Sequence, residues 1–290
     1  MFIVLVMTSL SSVVAKENEN WFVDKIEQPH IGNFALPISQ QAGPLFSFGQ
    51  NMPGKGVLQA FAFGNQLKGT RQSFSEFVPS VLYGITDRIS IFIELPVAVK
   101  FKQKQFVSRG LSDLIIQLEG VTYIHETTKM VNEITFVGNM SFPTGSFTKN
   151  PPTGTGSPRF FLGFTASHSE KAWYYFTSLG GIITTFHKNT KIGNQFLYQF
   201  GLGRNIAYKT DAWILNWLIE LEGIFGQRSE AAGIIDRNSG GNTLLLGPSL
   251  WFSTQRFIIQ GGILAVVSDR PFGIQVKNQY LAAAYVGWTF

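Results

Sequence analysis

One feature constrains this sequence more than any other: an alternation of period two that recurs along the chain and keeps its carboxylates in a single phase. Ile89, Ile91, Ile93, Leu95, Val97 and Val99 share one face of an extended segment, while Arg88, Ser90, Phe92 and Glu94 occupy the other. Trp213, Leu215, Trp217, Ile219 and Leu221 alternate with Asn216, Glu220 and Glu222. Leu114, Ile116 and Leu118 oppose Asp113, Gln117 and Glu119, and Ile134, Phe136 and Met140 oppose Glu133, Thr135 and Asn139. A strand with one face in a soluble core would carry more Lys and Glu on the wet face than these do. Lipid outside and a restricted lumen inside fit the pattern better.

Composition points the same way. Only 14% of the 290 residues are charged, against about 25% in a soluble globular protein. Phe alone contributes 27 residues and Cys none, which excludes disorder, a disulfide framework and a thiolate metal site. Past the N-terminus no run reaches the roughly 18 to 20 apolar residues of a membrane-spanning helix; the closest, Trp213 to Phe225, is broken by Asn216, Glu220 and Glu222. The expected fold is an all-β, transmembrane, antiparallel up-and-down barrel of about twelve strands. The strands are expected near 57–67, 72–84, 88–100, 110–122, 130–142, 158–168, 171–184, 195–207, 211–223, 243–253, 256–267 and 278–290. Short connections, taken as periplasmic turns, alternate with longer ones taken as external loops, among them Phe101 to Arg109.

Residues 1–15 read as a signal peptide: an apolar run followed by the small residues Val13, Val14 and Ala15 ahead of Lys16-Glu17. Its positive leader is missing, so the true start is expected a few residues upstream of Met1. Residues 16–56 form an N-terminal extended segment with four prolines and no clean period, to be read as loop, plug or periplasmic strap. Residues 57–290 form the barrel as one domain. At the other end Tyr280, Val286, Trp288 and Phe290 share a phase. Trp288 and the terminal Phe290 are candidates for the signal that a barrel-assembly machinery reads.

Four segments carry a resemblance. They are Ser80 to Arg88, Ser141 to Gly145, Gly154 to Gly163 and Gly193 to Gly201. They resemble the outer-membrane barrel family named for the meta-cleavage pathway of phenol degradation, over roughly Asn33 to Phe290. The resemblance implies uptake of aromatic or other apolar small molecules across the outer membrane of a Gram-negative bacterium. It transfers no ligand-contacting residue, because the motifs sit at turns and loop bases.

Other chemistry finds little footing. Gly154-Thr155-Gly156-Ser157 lacks the ending of a phosphate loop and leads into a strand. The four His, at 30, 125, 168 and 187, lack metal spacing, and only His187 lies on the predicted outer side where a surface hydrolase would need it. The pI near 9.3 comes with no basic groove for nucleic acid. No catalytic, cofactor-binding or metal-binding residue is expected.

The lumen-lining candidates are Phe92, Glu94, Ile115, Glu119, Glu133, Arg159, Phe161, Glu220 and Glu222. Their carboxylates either serve permeation or pair with Arg and Lys, including Lys25 or Lys55, to hold a plug. The external side is rich in cations, and Lys100, Lys102, Lys104 and Arg109 are candidates to meet lipopolysaccharide phosphates. The expected function is an outer-membrane channel for small, apolar or aromatic solutes; the alternative is a barrel with a structural or surface-interaction role.

Overall fold

The computed structural model describes residues 31–49 and 52–290. The expected signal peptide, Lys25 and His30 lie outside them. Twelve antiparallel staves close into a barrel. In chain order they are β1 (Leu58–Gly69), β2 (Gln72–Thr86), β3 (Ile89–Glu94 and Val97–Gln103), β4 (Phe106–Leu111 and Leu114–Glu126), β5 (Met130–Phe142) and β6 (Arg159–Glu170). Then follow β7 (Trp173–Thr184), β8 (Gln195–Lys209), β9 (Trp213–Gly226), β10 (Gly241–Thr254), β11 (Phe257–Pro271) and β12 (Asn278–Thr289). Each stave pairs with its sequence neighbours, and β1 closes on β12 in a register running from Gln59 opposite Thr289 to Gly69 opposite Asn278.

Side-chain placement is inverted relative to a soluble protein. Phe136, Leu162, Phe200, Leu250 and Ile263 are exposed on the outer phase. Gln117, Thr135, Thr165, Gln199, Asn216 and Gln260 are buried on the inner one. Such an exterior is stable against lipid, and a closed sheet satisfies there every backbone N–H and C=O that water cannot reach. With connections of two or three residues joining β2 to β11 in successive pairs at one end, this is a barrel of the Gram-negative outer membrane.

Two sequence expectations need correction. Phe101 to Arg109 is not a long loop: β3 and β4 continue through it and turn on Lys104-Gln105 alone, with Lys104 at φ +55°. Its Lys-rich composition resembles a loop because a stave that rises past the lipid meets water on its outer face and can carry charge there. The strands at 88–100 and 110–122 are also not continuous. Pro96 has no N–H to give to a ladder, and β3 breaks at Leu95-Pro96 opposite a break at Ser112-Asp113 in β4. The kink stays hydrogen-bonded: the Leu95 N–H reaches Pro79 O at 3.0 Å and the Ser112 N–H reaches Pro96 O at 2.9 Å.

The outward phase can be tested by depth. Ile219 lies midway along β9 and Leu215 near its periplasmic end. Ile219→Arg is expected to cost about 2–4 kcal/mol of folding free energy and Leu215→Arg about 0–1 kcal/mol. Equal costs in a lipid-vesicle unfolding titration would show that the depth assignment is wrong.

Candidate functional site

The lumen is built from two contributions, the inward phase of the staves and a stretch of N-terminal chain that enters it. That chain is anchored first at the periplasmic end. The Asn33 side-chain amide donates to Glu170 O and Trp173 O at 2.7 and 3.0 Å, and the Asn33 N–H donates to Lys171 O at 2.8 Å. Gly32 beside it has φ +58°, and a Cβ there would sit 1.6 Å from Lys171 O, so only glycine permits this approach. Ala35 and Leu36 then bury against Ile214, and Ala35 O accepts the Asp211 N–H at 3.1 Å.

From Ser39 to Gly49 the chain rises, tied by side chains of the wall to its own backbone. Gln59 donates to Ser39 O at 3.0 Å, Ser253 to Gln40 O at 2.7 Å and Gln260 to Gly43 O at 3.1 Å. At mid-height Glu220 accepts the Leu45 N–H at 3.1 Å on both oxygens, the Phe46 N–H at 3.1 Å and the Ser249 hydroxyl at 2.9 Å. Beyond it Gln199 accepts the Phe48 N–H at 3.3 Å, and the Thr165 hydroxyl donates to Phe48 O at 3.0 Å. After residues 50–51 the chain is again at the periplasmic end, where the Lys55 N–H donates to Asp87 at 2.9 Å and the Gly56 N–H to Gly84 O at 2.8 Å.

Residues 31–49 are therefore a plug whose tip reaches mid-barrel. Glycines make the room it needs. Gly163 and Gly180 are opposite one another on β6 and β7, and a Cβ on either would lie within about 3 Å of both Phe48 and Phe161. Those two rings pack edge to face with centroids 4.5 Å apart. Below the tip, Leu45 packs on a cluster of Tyr174, Phe176, Leu218, Trp251, Ile258 and Tyr285 that fills the periplasmic half.

Beside the tip, between it and the wall from β12 through β1 to β5, a cavity of about 320 Å³ remains open, bounded by Leu45, Phe46 and Phe48 of the plug and by aromatic and polar wall residues. Phe61, Phe63, Phe92 and Tyr285 form its aromatic side, and Glu94, Gln117, Asn139, Gln199 and Glu222 its polar side. A larger depression of about 610 Å³, beside Tyr175, Phe200 and Ile219, lies on the outward face where lipid acyl chains pack.

The sequence candidates distribute as follows. Phe92, Glu94 and Glu222 line the cavity, and Phe161 touches the plug. Glu220 is the plug's main acceptor. Glu119 is buried and accepts from Gln117 at 2.7 Å, and Glu133 is buried and accepts from Thr135 at 2.6 Å. Ile115 shares the phase of Gln117. Arg159 faces inward at the outer rim, beside the buried Asp113. Among the described residues Lys55 is exposed at the periplasmic end, and Glu220 takes backbone N–H groups of the plug rather than a cation. Lys100, Lys102, Lys104 and Arg109 are all exposed on the β3–β4 extension.

Sequence reasoning missed the role of Asp113. Its carboxylate accepts the Gly145 N–H at 3.1 Å and, from Thr155, the N–H at 2.8 Å and the hydroxyl at 2.6 Å. The loop between β5 and β6 is thus folded onto the rim by a single buried acid. The motifs Ser141 to Gly145 and Gly154 to Gly163 supply the donors and the close contact of Gly145 with Gly154. Among the described residues no group of three or more His, Asp or Glu is placed to hold a metal.

No protein-family model matches the chain, and neither does any curated protein. Among solved structures the chain is similar to an outer membrane channel from Pseudomonas putida F1, with a TM-score of 0.72 and 11% identity over 86% of this chain and 100% of that one. At that identity the likeness is one of fold. Looser matches include LpxR from Salmonella typhimurium, at TM-score 0.44 and 8% identity over 79% of this chain and 99% of that one. Another is the translocator domain of the autotransporter NalP from Neisseria meningitidis, at 0.42 and 10% over 82% and 90%. Both are too distant to bear on this chain.

Glu220→Ala removes the acceptor of two plug N–H groups, each of which costs about 1–3 kcal/mol when buried without a partner. Amide exchange at Leu45 and Phe46 is expected to accelerate at least about tenfold, while Asn33, anchored elsewhere, keeps its protection. Unchanged protection at Leu45 would show that Glu220 does not hold the plug.

Proposed function

We propose that this chain is an outer-membrane channel that admits small apolar or aromatic solutes and that residues 31–49 are its gate. The observation that carries the reading is the 320 Å³ cavity, which combines aromatic walls with a few polar groups directly beside a segment held by hydrogen bonds to side chains. Small-molecule sites generally have this mixture. A passive conduit of this kind has no catalytic step. A barrel of twelve staves lies between the side-chain-filled eight-stranded barrels and the open porins of about sixteen strands, so a displaceable segment, rather than a fixed wide pore, suits its bore. Membership of the family named for the meta-cleavage pathway is part of the same proposal and rests on the four motifs.

The partners belong to this reading too. Lys100, Lys102, Lys104 and Arg109 stand where lipopolysaccharide phosphates would meet the wall. Trp288 and Phe290 end the seam stave, with the Phe290 N–H on Leu58 O at 2.9 Å, where an assembly machinery would engage the last strand to be closed. Deleting Phe290 is expected to lower the amount of heat-modifiable, folded barrel in the outer membrane without lowering secretion. Normal amounts of folded protein would remove the assigned role.

The channel itself is tested in liposomes. The purified barrel is expected to speed entry of small aromatic and aliphatic compounds, and Gly180→Leu, which takes the space of Phe48, is expected to raise that rate by loosening the plug. If neither protein changes permeability to any solute, a structural role replaces the channel.

A further inference from the structure

The cavity beside the plug has a chemical bias beyond being partly apolar. Its aromatic side is a continuous wall of four rings. Phe63 and Tyr285 have centroids 4.6 Å apart, Phe61 lies 5.7 Å from Tyr285 and 6.1 Å from Phe92, and Phe92 lies 6.3 Å from Phe63. Facing the same space are the carboxylates Glu94 and Glu222. Glu222 is only 9% exposed; Gln199 donates to it, yet its Oε2 has no hydrogen-bond partner among the described residues. A carboxylate buried with one oxygen unpartnered is costly to charge, and a cation in the adjacent cavity offsets that cost.

The charge around the cavity has one sign. Glu76, Glu119, Glu133 and Glu220 also lie on the inward phase, whereas the inward-facing cation among the described residues of the staves is Arg159, drawn to Asp113 at the rim. Low-dielectric walls focus such a field on what they enclose. Ring faces attract cations as well, because the quadrupole of an aromatic ring is negative on its face. The aromatic and the acidic sides therefore favour the same ligand.

We propose that the cavity is a binding site for organic ammonium ions, an apolar or aryl body carrying a protonated or quaternary amine, with the body against Phe61, Phe63, Phe92 and Tyr285 and the cation toward Glu222 and Glu94. A neutral solute of the same shape gains only the ring contacts. An anion meets repulsion from both carboxylates. The proposal deepens the channel reading by naming the charge of the preferred solute, and it rests on that reading only for transport, since binding is measured apart from it.

The experiment uses the folded barrel in detergent at neutral pH and three probes that share one ring and a two-carbon spacer: phenethylammonium, phenethyl alcohol and hydrocinnamate. Calorimetry is expected to show the ammonium ion bound at least about tenfold more tightly than the alcohol, and the carboxylate not bound. The double variant E94Q/E222Q, checked for heat-modifiable folding, is expected to lose that preference and keep its affinity for the alcohol. Equal binding of ammonium ion and alcohol by the native protein overturns the proposal without any variant, as does a preference that survives E94Q/E222Q. The same probes in liposomes separate the two readings. Tight ammonium binding with no permeation of any probe removes the channel and keeps the site. Permeation of all three at one rate, with equal binding, keeps the channel and removes the site.

Discussion

The constraint on which the whole molecule depends is that a peptide group in lipid has no water to bond. A sheet there must close on itself, which β1 and β12 accomplish between Gln59 and Thr289. Closure forces the alternation of side chains to divide space into lipid and lumen, and the polar phase has nowhere to go but inward. The interior then holds carboxylates, amides and hydroxyls that need partners. A second piece of chain supplies them, and the plug is in this sense a consequence of the wall.

The means of attachment matters. Glu220 is satisfied by two backbone N–H groups and a serine hydroxyl, not by a lysine. A buried ion pair would require two charges to be desolvated and would be hard to part once made. Backbone donors and acceptors spread the attachment over several weak bonds from Ser39 to Phe48, made by side chains of β1, β6, β8, β9, β10 and β11. As the proposed gate the plug would release in stages, above the apolar cluster around Trp251.

The fold was almost wholly legible because period two is a local signal: the staves around Glu94, Glu119, Glu133 and Glu220 could be phased from their own residues. What failed was composition used as a substitute for geometry. Lys100, Lys102, Lys104 and Arg109 look like loop because charge is rare in membrane strands, yet they lie on a hairpin extension where the outer face has left the lipid. The inward phase of Asp113 was readable, but its partners Gly145 and Thr155 are about 32 and 42 residues away in sequence, and no local pattern announces them. The same holds for Glu220, whose acceptor role depends on Leu45 and Phe46 arriving from a segment with no period at all. The glycines Gly163 and Gly180 carry no side chain to phase, and their purpose appears only when Phe48 occupies the space between them.

The plug is fastened to the periplasmic turns at both of its ends, through Asn33 and Ala35 before it and Lys55 and Gly56 after it. A stopper tethered twice is never lost. Outside the lumen it would stay at an effective concentration of the order of millimolar near its own seat. For the proposed gate, opening would thus be an excursion from which the segment can reseal without any second molecule. An envelope gains from that: a passage that shuts unaided admits solutes one visit at a time and leaves no standing hole.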